Sequence, residues 1–342
     1  MGKFTLGAFI KSQRSKRNEV TTVDLSGKTV LVVGANAGLG FDASVHFARM
    51  NPGKLILACR SRAKGEAALN ELRKTTGCKT AELWIVDLAD FSSVSAFADR
   101  FGREGGGRLD ILLANAATVL TKYEPTKDGW ETCLQVNCLS MPLLALLLLP
   151  HMVKTATEYG VVPRIVTVAS EVHYWATIEK RVVNGSDILE TLGSKQYCTP
   201  KAMDSRYFST KLLNIMFVRA LDAHLSASPP IVVNAVNPGY CATTIRDGFS
   251  GFTGIMDSLM TRMIAIPSEV GSRQLVWASV GQAEAPEKLR GEYISLEKVE
   301  EVSDYILSDE GQKVQARVWE ELLQILGKQD PRVLEIVQTY LS

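Results

Sequence analysis

A chain of 342 residues, 46% hydrophobic and 22% charged, is long enough for a large core and too apolar for extended disorder, with room for two domains or for one α/β domain with additions. A formal net charge of +1 argues against nucleic acid as the main partner, because phosphate contacts need a basic excess or stripe. Cys59, Cys78, Cys133, Cys138, Cys198 and Cys241 show neither CxxC spacing nor the density of a secreted disulfide scaffold, which points to a reducing, cytoplasmic compartment.

At the N-terminus (residues 1–23), Lys3, Lys11, Arg14, Lys16 and Arg17 punctuate Phe4, Leu6, Phe9 and Ile10, with no acid before Glu19. The pattern resembles a mitochondrial transit peptide or a membrane-surface helix, but it has no secretory apolar region or cleavage site; a short basic helix packed on the domain, or a frayed end, is the simpler reading. From Asp24 onward, strand-like runs at 29–35, 54–60, 82–88, 109–114, 164–170, 231–237 and 292–296 alternate with helical stretches. Such alternation implies βαβ units, hence a doubly wound parallel sheet of Rossmann type covered on both faces. We expect one domain over residues 24–300 and a helical C-terminal extension over 301–342, with helices at 312–327 and 331–341. The longest apolar run, 141–150 extended to 153, falls short of the roughly 20 residues needed to cross a bilayer and reads as a buried helix.

The first strand runs into Gly34-Ala35-Asn36-Ala37-Gly38-Leu39-Gly40, followed by a helical pattern. Glycines there let the chain turn sharply, let backbone N–H groups approach a pyrophosphate and let the helix start close to the sheet. Gly34, Asn36, Gly38, Leu39 and Gly40 are therefore candidate cofactor contacts, although a glycine turn after a strand is often only a turn. At the end of the second strand stands Arg60, with Arg62 and Lys64 near it. An arginine at that place accommodates the 2′-phosphate of NADP(H), where an acid would bind the 2′-OH of NAD; a solvated basic turn is the alternative. Asp87 ends the third strand and is placed to accept from an adenine amino group or to cap a helix. Asn115 follows the fourth, among small residues that leave room for a ligand beside the strand end or that suit a tightly packed loop.

Tyr207 and Lys211 lie four apart in a helical context, so they share a face. A nearby ammonium favours the phenolate and lowers a tyrosine pKa from its usual ~10 toward a value useful for proton transfer. Alone, this spacing also suits an ordinary exposed helix face. Ser170, at the carboxyl end of the fifth strand, is placed to donate a hydrogen bond to a carbonyl oxygen or to cap a helix. Asn137 is placed to hold water, to interrupt its helix near the site, or to be a satisfied core amide.

These residues carry a resemblance. From about Asp24 to Leu296 the chain resembles the short-chain dehydrogenase/reductase family: GxxxGxG at Gly34, Gly38 and Gly40, an NAG-like Asn115-Ala116-Ala117, and Asn137, Ser170, Tyr207 and Lys211 in family order. Ala58-Cys59-Arg60, Lys64-Gly65-Glu66, and Asn237-Pro238-Gly239 with Thr243 look most like its retinol-dehydrogenase-like branch. The resemblance implies an NADP(H)-dependent oxidoreductase interconverting a hydrophobic ketone or aldehyde and its alcohol, in lipid or specialised metabolism. Tyr207 would exchange the proton, Ser170 orient the substrate oxygen, Lys211 hold the nicotinamide ribose, and Asn137 support a water-linked relay. Pro238, Gly239 and Thr243 would border the nicotinamide.

Three departures stand out. Val33 replaces the usual Thr, Ala117 replaces the last Gly of NAG, and the Ser170-to-Tyr207 interval is much longer than usual. The insert at 171–206 is expected to form a loop or short helix over the active-site mouth. Tyr174, Trp175, Tyr240, Phe249, Phe252 and Ile255 give the expected pocket its apolar character. A non-catalytic NADP-binding scaffold or sensor is the competing reading; it predicts a broken tetrad, whereas this one is intact. A nucleotide-sugar epimerase usually has a differently spaced glycine turn. The resemblance also leaves room for a homo-oligomer, with the helix near 141–149 and the Tyr207 helix as the faces where related proteins pair.

Overall fold

The alternation of apolar runs and helical stretches closes into a mostly parallel sheet in a computed structural model, which describes residues 5–228, 230–243 and 261–341. After an N-terminal helix α1 (Leu6–Gln13) come β1 (Thr29–Val33), α2 (Gly38–Arg49), β2 (Lys54–Cys59), α3 (Arg62–Thr76), β3 (Ala81–Ile85), α4 (Phe91–Glu104) and β4 (Ile111–Ala114). A long helix α5 (Thr132–Tyr159) leads to β5 (Arg164–Val168). Then follow a 3₁₀ turn (Glu171–Trp175), three short helices α6 (Lys180–Val183), α7 (Ile188–Gly193) and α8 (Pro200–Asp204), and the long α9 (Arg206–His224). β6 (Val232–Asn237), β7 (Cys241–Ala242), β8 (Ile266–Pro267), α10 (Ser268–Val280), β9 (Tyr293–Ser295), β10 (Lys298–Glu300), α11 (Asp304–Leu307), α12 (Asp309–Gln329) and α13 (Arg332–Tyr340) complete the chain.

Among the described residues the main sheet has eight strands in the order β10-β9-β6-β5-β4-β1-β2-β3. Every pair is parallel except the β9–β10 hairpin at the edge. Strand direction of build-up reverses beside β1, where β2 lies on one side and β4 on the other, so the crevice for a dinucleotide opens at the carboxyl ends of these strands. The central strands are buried on both faces, as a sheet covered by helices on both sides requires. α4 shows how one covering helix is specified. Phe91, Val94, Phe97, Ala98 and Phe101 form its buried stripe, and the Asp90 carboxylate caps its start by accepting from the Ser93 amide at 3.2 Å.

β1, β2, β3, β5 and β9 end earlier than their apolar runs predict, while β4 and β6 end where predicted. Gly34, just past Val33, takes φ +82°, and that left-handed turn leaves the ladder. β10 went unread: Leu296 and Glu297 both take positive φ and close a tight hairpin without the Asn-Gly signal that usually marks one. α5 is longer than its apolar run, and by length and composition alone it is apolar enough to cross a membrane. Inside the fold, 89% of that apolar window is buried, so it is a core helix.

The insert differs from expectation more deeply. Beyond the 3₁₀ turn comes a string of short helices, as expected, but Ile178 before them and their Val182, Ile188, Leu189 and Leu192 join the main core instead of hanging over a mouth. α12 clamps it: the Arg317 guanidinium donates to the Val183, Gly185 and Ser186 carbonyls, and the Leu189 amide donates to Glu321 at 2.9 Å. α12 also lies on α9, with Trp319 stacked on His224 at 5.0 Å and near Phe217 at 6.2 Å. α13 packs on α5, and the loop before it is tied to α4 through Asp330 and Ser95 at 2.7 Å. The two helices read from sequence as pairing faces are thus covered by the chain's own C-terminal helices.

Candidate active site

The glycine turn is built by exclusion of side chains. A Cβ on Gly34 would fall 2.8 Å from the Ala116 Cα, and one on Gly40 would fall 2.2 Å from the Gly34 carbonyl oxygen. Gly38 takes φ +56° and opens α2. Ala37, at the N-cap, makes no side-chain capping bond, so the first amides of α2 have no side-chain acceptor there and present the positive end of the helix to the crevice. Asn36 and Leu39 are half-buried in this turn. Thr243 approaches it from the other side, its Cγ2 lying 3.5 Å from where a Gly38 Cβ would sit. Asn115 serves the turn itself: its amide nitrogen donates to the Gly34 and Val33 carbonyls at 3.1 and 3.3 Å.

Arg60 directly follows β2, is exposed, and makes no hydrogen bond with any described residue, so its fork of donors is open to a ligand. Asp87 is half-buried; its carboxylate accepts from the Ala89 amide at 2.9 Å, and its own amide donates to the Ser93 hydroxyl. The cap of α4 is Asp90, three residues on, which corrects the alternative reading of Asp87 as a helix cap.

At the other side of the crevice, three elements meet. Ser170 stands two residues past β5, and its Oγ accepts from the Val172 amide at 3.3 Å as the cap of the 3₁₀ turn, leaving its own O–H to donate. Lys211, buried on α9, donates from Nζ to the Val168 carbonyl at 2.6 Å and lies 5.3 Å from the centre of the Tyr207 ring. Burial lowers its pKa from the usual lysine value to about 8. That single bond draws the Tyr207 face of α9 to the end of β5. Asn137 sits in a π-helical stretch, Gln135–Ser140, inside α5. Its Oδ1 accepts from the Thr118 amide at 2.9 Å, while its amide donates to the Thr118 carbonyl at 3.0 Å and to the Thr210 hydroxyl at 3.2 Å. It therefore interrupts the regular helix and bridges the loop after β4 to α9. Gly239 turns at φ +85° after Pro238, its amide donating to the Asn237 Oδ1 at 3.1 Å. Phe249, Phe252 and Ile255 lie outside the described residues.

Sequence reasoning missed the residue that lets a long insert still deliver Tyr207. Arg206, its neighbour, is buried and pairs with the buried Glu131 at 3.2 Å, while its guanidinium reaches Cys198 at 3.0 Å. Glu131 in turn caps the start of α5, accepting from the Cys133 and Leu134 amides. The helix carrying Tyr207 is thereby anchored at its first turn to the helix carrying Asn137. No local pattern announces such a pair, because its partners are far apart in the chain.

The sequence pattern of the short chain dehydrogenase family matches residues 28–178, from β1 past Ser170 into the first residues of the insert, and stops before Tyr207. A short chain dehydrogenase/reductase of Cryptosporiopsis sp. is 35% identical over 329 residues, spanning 95% of this chain and 98% of that protein. The chain belongs to the short-chain dehydrogenase/reductase family. It is therefore an oxidoreductase of Rossmann type, and a second relative in this family, a short-chain dehydrogenase of Penicillium roqueforti, is 33% identical over 95% of this chain and 84% of its own length. Solved structures agree with the fold of this short-chain dehydrogenase/reductase. A Pseudomonas aeruginosa RhlG/NADP active-site complex has a TM-score of 0.57 at 19% identity, covering 79% of this chain and 95% of that one. A short-chain dehydrogenase from Sphingobium yanoikuyae in complex with NADPH has a TM-score of 0.53 at 24% identity, covering 77% and 85%.

Proposed function

We propose that the protein is an NADP(H)-dependent oxidoreductase that interconverts a hydrophobic ketone or aldehyde and its alcohol, in lipid or specialised metabolism. The observation that carries this reading is the buried Lys211, tied to β5 beside Ser170 and 5.3 Å from the Tyr207 ring. The crevice suits the dinucleotide: Gly34 and Gly40 have no room for a Cβ, the start of α2 has no side-chain cap, and Arg60 is unengaged. Gly34, Asn36, Gly38, Leu39 and Gly40 would hold the pyrophosphate, Arg60 the 2′-phosphate, Asp87 the adenine edge, and Pro238, Gly239 and Thr243 the nicotinamide end, with Asn115 acting through the turn it braces. When bound, NADP(H) supplies or takes the hydride. The protein's own residues handle the proton. Ser170 donates its hydroxyl to the substrate oxygen and orients the carbonyl; Tyr207 gives its phenolic proton to that oxygen in reduction and takes it back in oxidation. The Lys211 ammonium stabilises the phenolate that remains, and Asn137 holds the adjoining backbone for a proton relay. Solvent is kept from the Lys211 end of the site, which strengthens its field on the ring. Relatives named as short-chain dehydrogenases support a reaction at a carbonyl or alcohol, and six free thiols, five of them buried, fit a reducing, cytoplasmic setting.

The test is NADPH consumption across a panel of hydrophobic ketones and aldehydes. Turnover that disappears in Tyr207→Phe while NADPH still binds supports the reading. An enzyme that binds NADPH but reduces no member of the panel, or a Tyr207→Phe variant with full activity, overturns it in favour of a binding scaffold.

A further inference from the structure

The N-terminal helix does not lie on a remote face of the domain. α1 starts at Thr5, whose hydroxyl caps it by accepting from the Ala8 amide at 3.2 Å, and it buries Phe9 and Gln13, one turn apart on the same side. Gln13 donates from Nε2 to the Glu171 carboxylate at 2.8 Å, and Glu171 is the residue after Ser170. Glu171 is itself buried, and desolvation raises its carboxyl pKa to about 7 despite the hydrogen bond from Gln13 and the nearby Arg17 charge. On the opposite side, a Cβ on Gly239 would meet the Arg17 guanidinium at 3.3 Å and the Gln13 amide at 3.4 Å. The inner end of α1 therefore touches both the Ser170 side and the Gly239 side of the crevice. Gln13 Oε1 is buried without a hydrogen-bond partner among the described residues, an acceptor left over at this place.

Phe9 carries the chemistry of the contact. Its ring is 5% exposed and meets Trp175 edge-on at 5.9 Å and Tyr240 at 6.3 Å. Trp175 in turn lies 6.3 Å from Phe208, the residue after Tyr207. Tyr240, Phe9, Trp175 and Phe208 thus form one aromatic row, running from the segment after Gly239 to the helix of Tyr207. Burying two polar groups to hold a helix in place is costly, and a peripheral basic helix has no need of it.

We propose that α1 is a wall of the substrate site, in which Phe9 is a specificity-determining residue favouring flat, ring-containing carbonyls over open-chain ones. The inference rests on the carbonyl reductase reading above and names the substrate class for that site. Ring edges and faces match the geometry that an aromatic row rewards, whereas a flexible chain gains only area and must lose rotamer freedom to lie there. Gln13, bonded to Glu171, is the positioning residue that keeps Phe9 against Trp175.

The test compares 2-acetylnaphthalene with 2-dodecanone, two methyl ketones of equal carbon count, in the full-length protein. The wild type is expected to favour the naphthyl ketone in kcat/KM by about tenfold or more. Phe9→Ala is expected to erase most of that ratio through the KM of the naphthyl ketone, with NADPH affinity held within about twofold; Phe9→Tyr should restore it. Binding of 2-acetylnaphthalene to a Tyr207→Phe background, read by quenching of intrinsic fluorescence, should weaken in parallel when Phe9→Ala is added. A Phe9→Ala protein that loses activity on both ketones equally, or keeps the wild-type ratio, overturns the inference, as does a wild type with no ring preference. If Phe9→Ala does not fold, Phe9→Leu takes its place and must shift the same ratio. Failure of the parent reading looks different: no turnover of either ketone or of any other carbonyl by a protein that binds NADPH.

Discussion

The two ends of the main sheet's crevice are built by opposite means. On the side of β1 and β2, the glycine turn is specified within a few residues: each glycine either takes a positive φ or has no room for a Cβ, and Arg60 follows its strand without engaging a described neighbour. On the side of the insert and α12, position is set by bonds across more than a hundred residues of chain, such as Arg317 to Val183 and Glu321 to Leu189. The first region leaves groups open to a ligand, and the second ties the insert to α12 and α9. The glycine turn and Arg60 are left open, whereas Arg317 and Glu321 engage the insert with their polar atoms.

Substitutions should separate the two. The largest effect is expected for Tyr207→Phe, which removes the proton donor and should lower kcat by about 10³-fold or more while NADPH affinity stays within a few-fold, read by steady-state kinetics and fluorescence titration. Arg60→Asp comes next. Replacing an open guanidinium by a carboxylate should shift NADPH-over-NADH preference by about 1–3 kcal/mol, with the melting temperature nearly unchanged; an unaltered preference would remove Arg60 from the cofactor site.

The third expectation is a pH dependence. Burial lowers the Lys211 pKa to about 8, so its ammonium is intact below that value and is lost as pH rises through it. Since the charged form supports the Tyr207 phenolate, kcat/KM for reduction should be level toward neutral pH and fall by about tenfold for each pH unit well above 8. A flat profile to pH 10 would dissociate Lys211 from the chemistry. The smallest effect is assigned to Arg317→Ala. Loss of its bonds to three insert carbonyls should reduce stability by about 1 kcal/mol in denaturant unfolding, the side chain being partly exposed, and leave NADPH affinity untouched. If Arg317→Ala instead impaired cofactor binding, the division between the two regions would fail.

How much was readable follows the same line. Gly34, Gly38, Gly40, Arg60, Ser170, Tyr207 and Lys211 could be singled out from sequence as candidates because each belongs to a local pattern: a strand followed by a turn, or two side chains four apart on a helix. Asn137 was legible as an interruption, and the structure gives that interruption its form, a π-helical stretch. The insert was read correctly as carrying short helices, but its part beyond the 3₁₀ turn packs into the core, which the sequence did not show. Its polar and glycine-containing stretches resemble a surface loop, but Ile188, Leu189 and Leu192 on so short a helix bury against α12 and the main core, partners more than a hundred residues or several elements away in the chain. The Arg206–Glu131 pair and the Gln13–Glu171 bond were invisible for the same reason, and they are what place α9 and α1.

By itself, then, the amino-acid sequence determined the alternation of the parallel strands with helices, the glycine turn at the end of β1 and the identity of the candidate catalytic residues, because hydrophobic period, backbone freedom and side-chain type are properties of neighbouring residues. Only the tertiary structure decided that the C-terminal helices cover α5 and α9, that the insert is core, and that Phe9 reaches Trp175 and Tyr240 beside Ser170 and Gly239. Those outcomes depend on which distant apolar faces and buried polar atoms satisfy one another, and that is settled by packing in three dimensions.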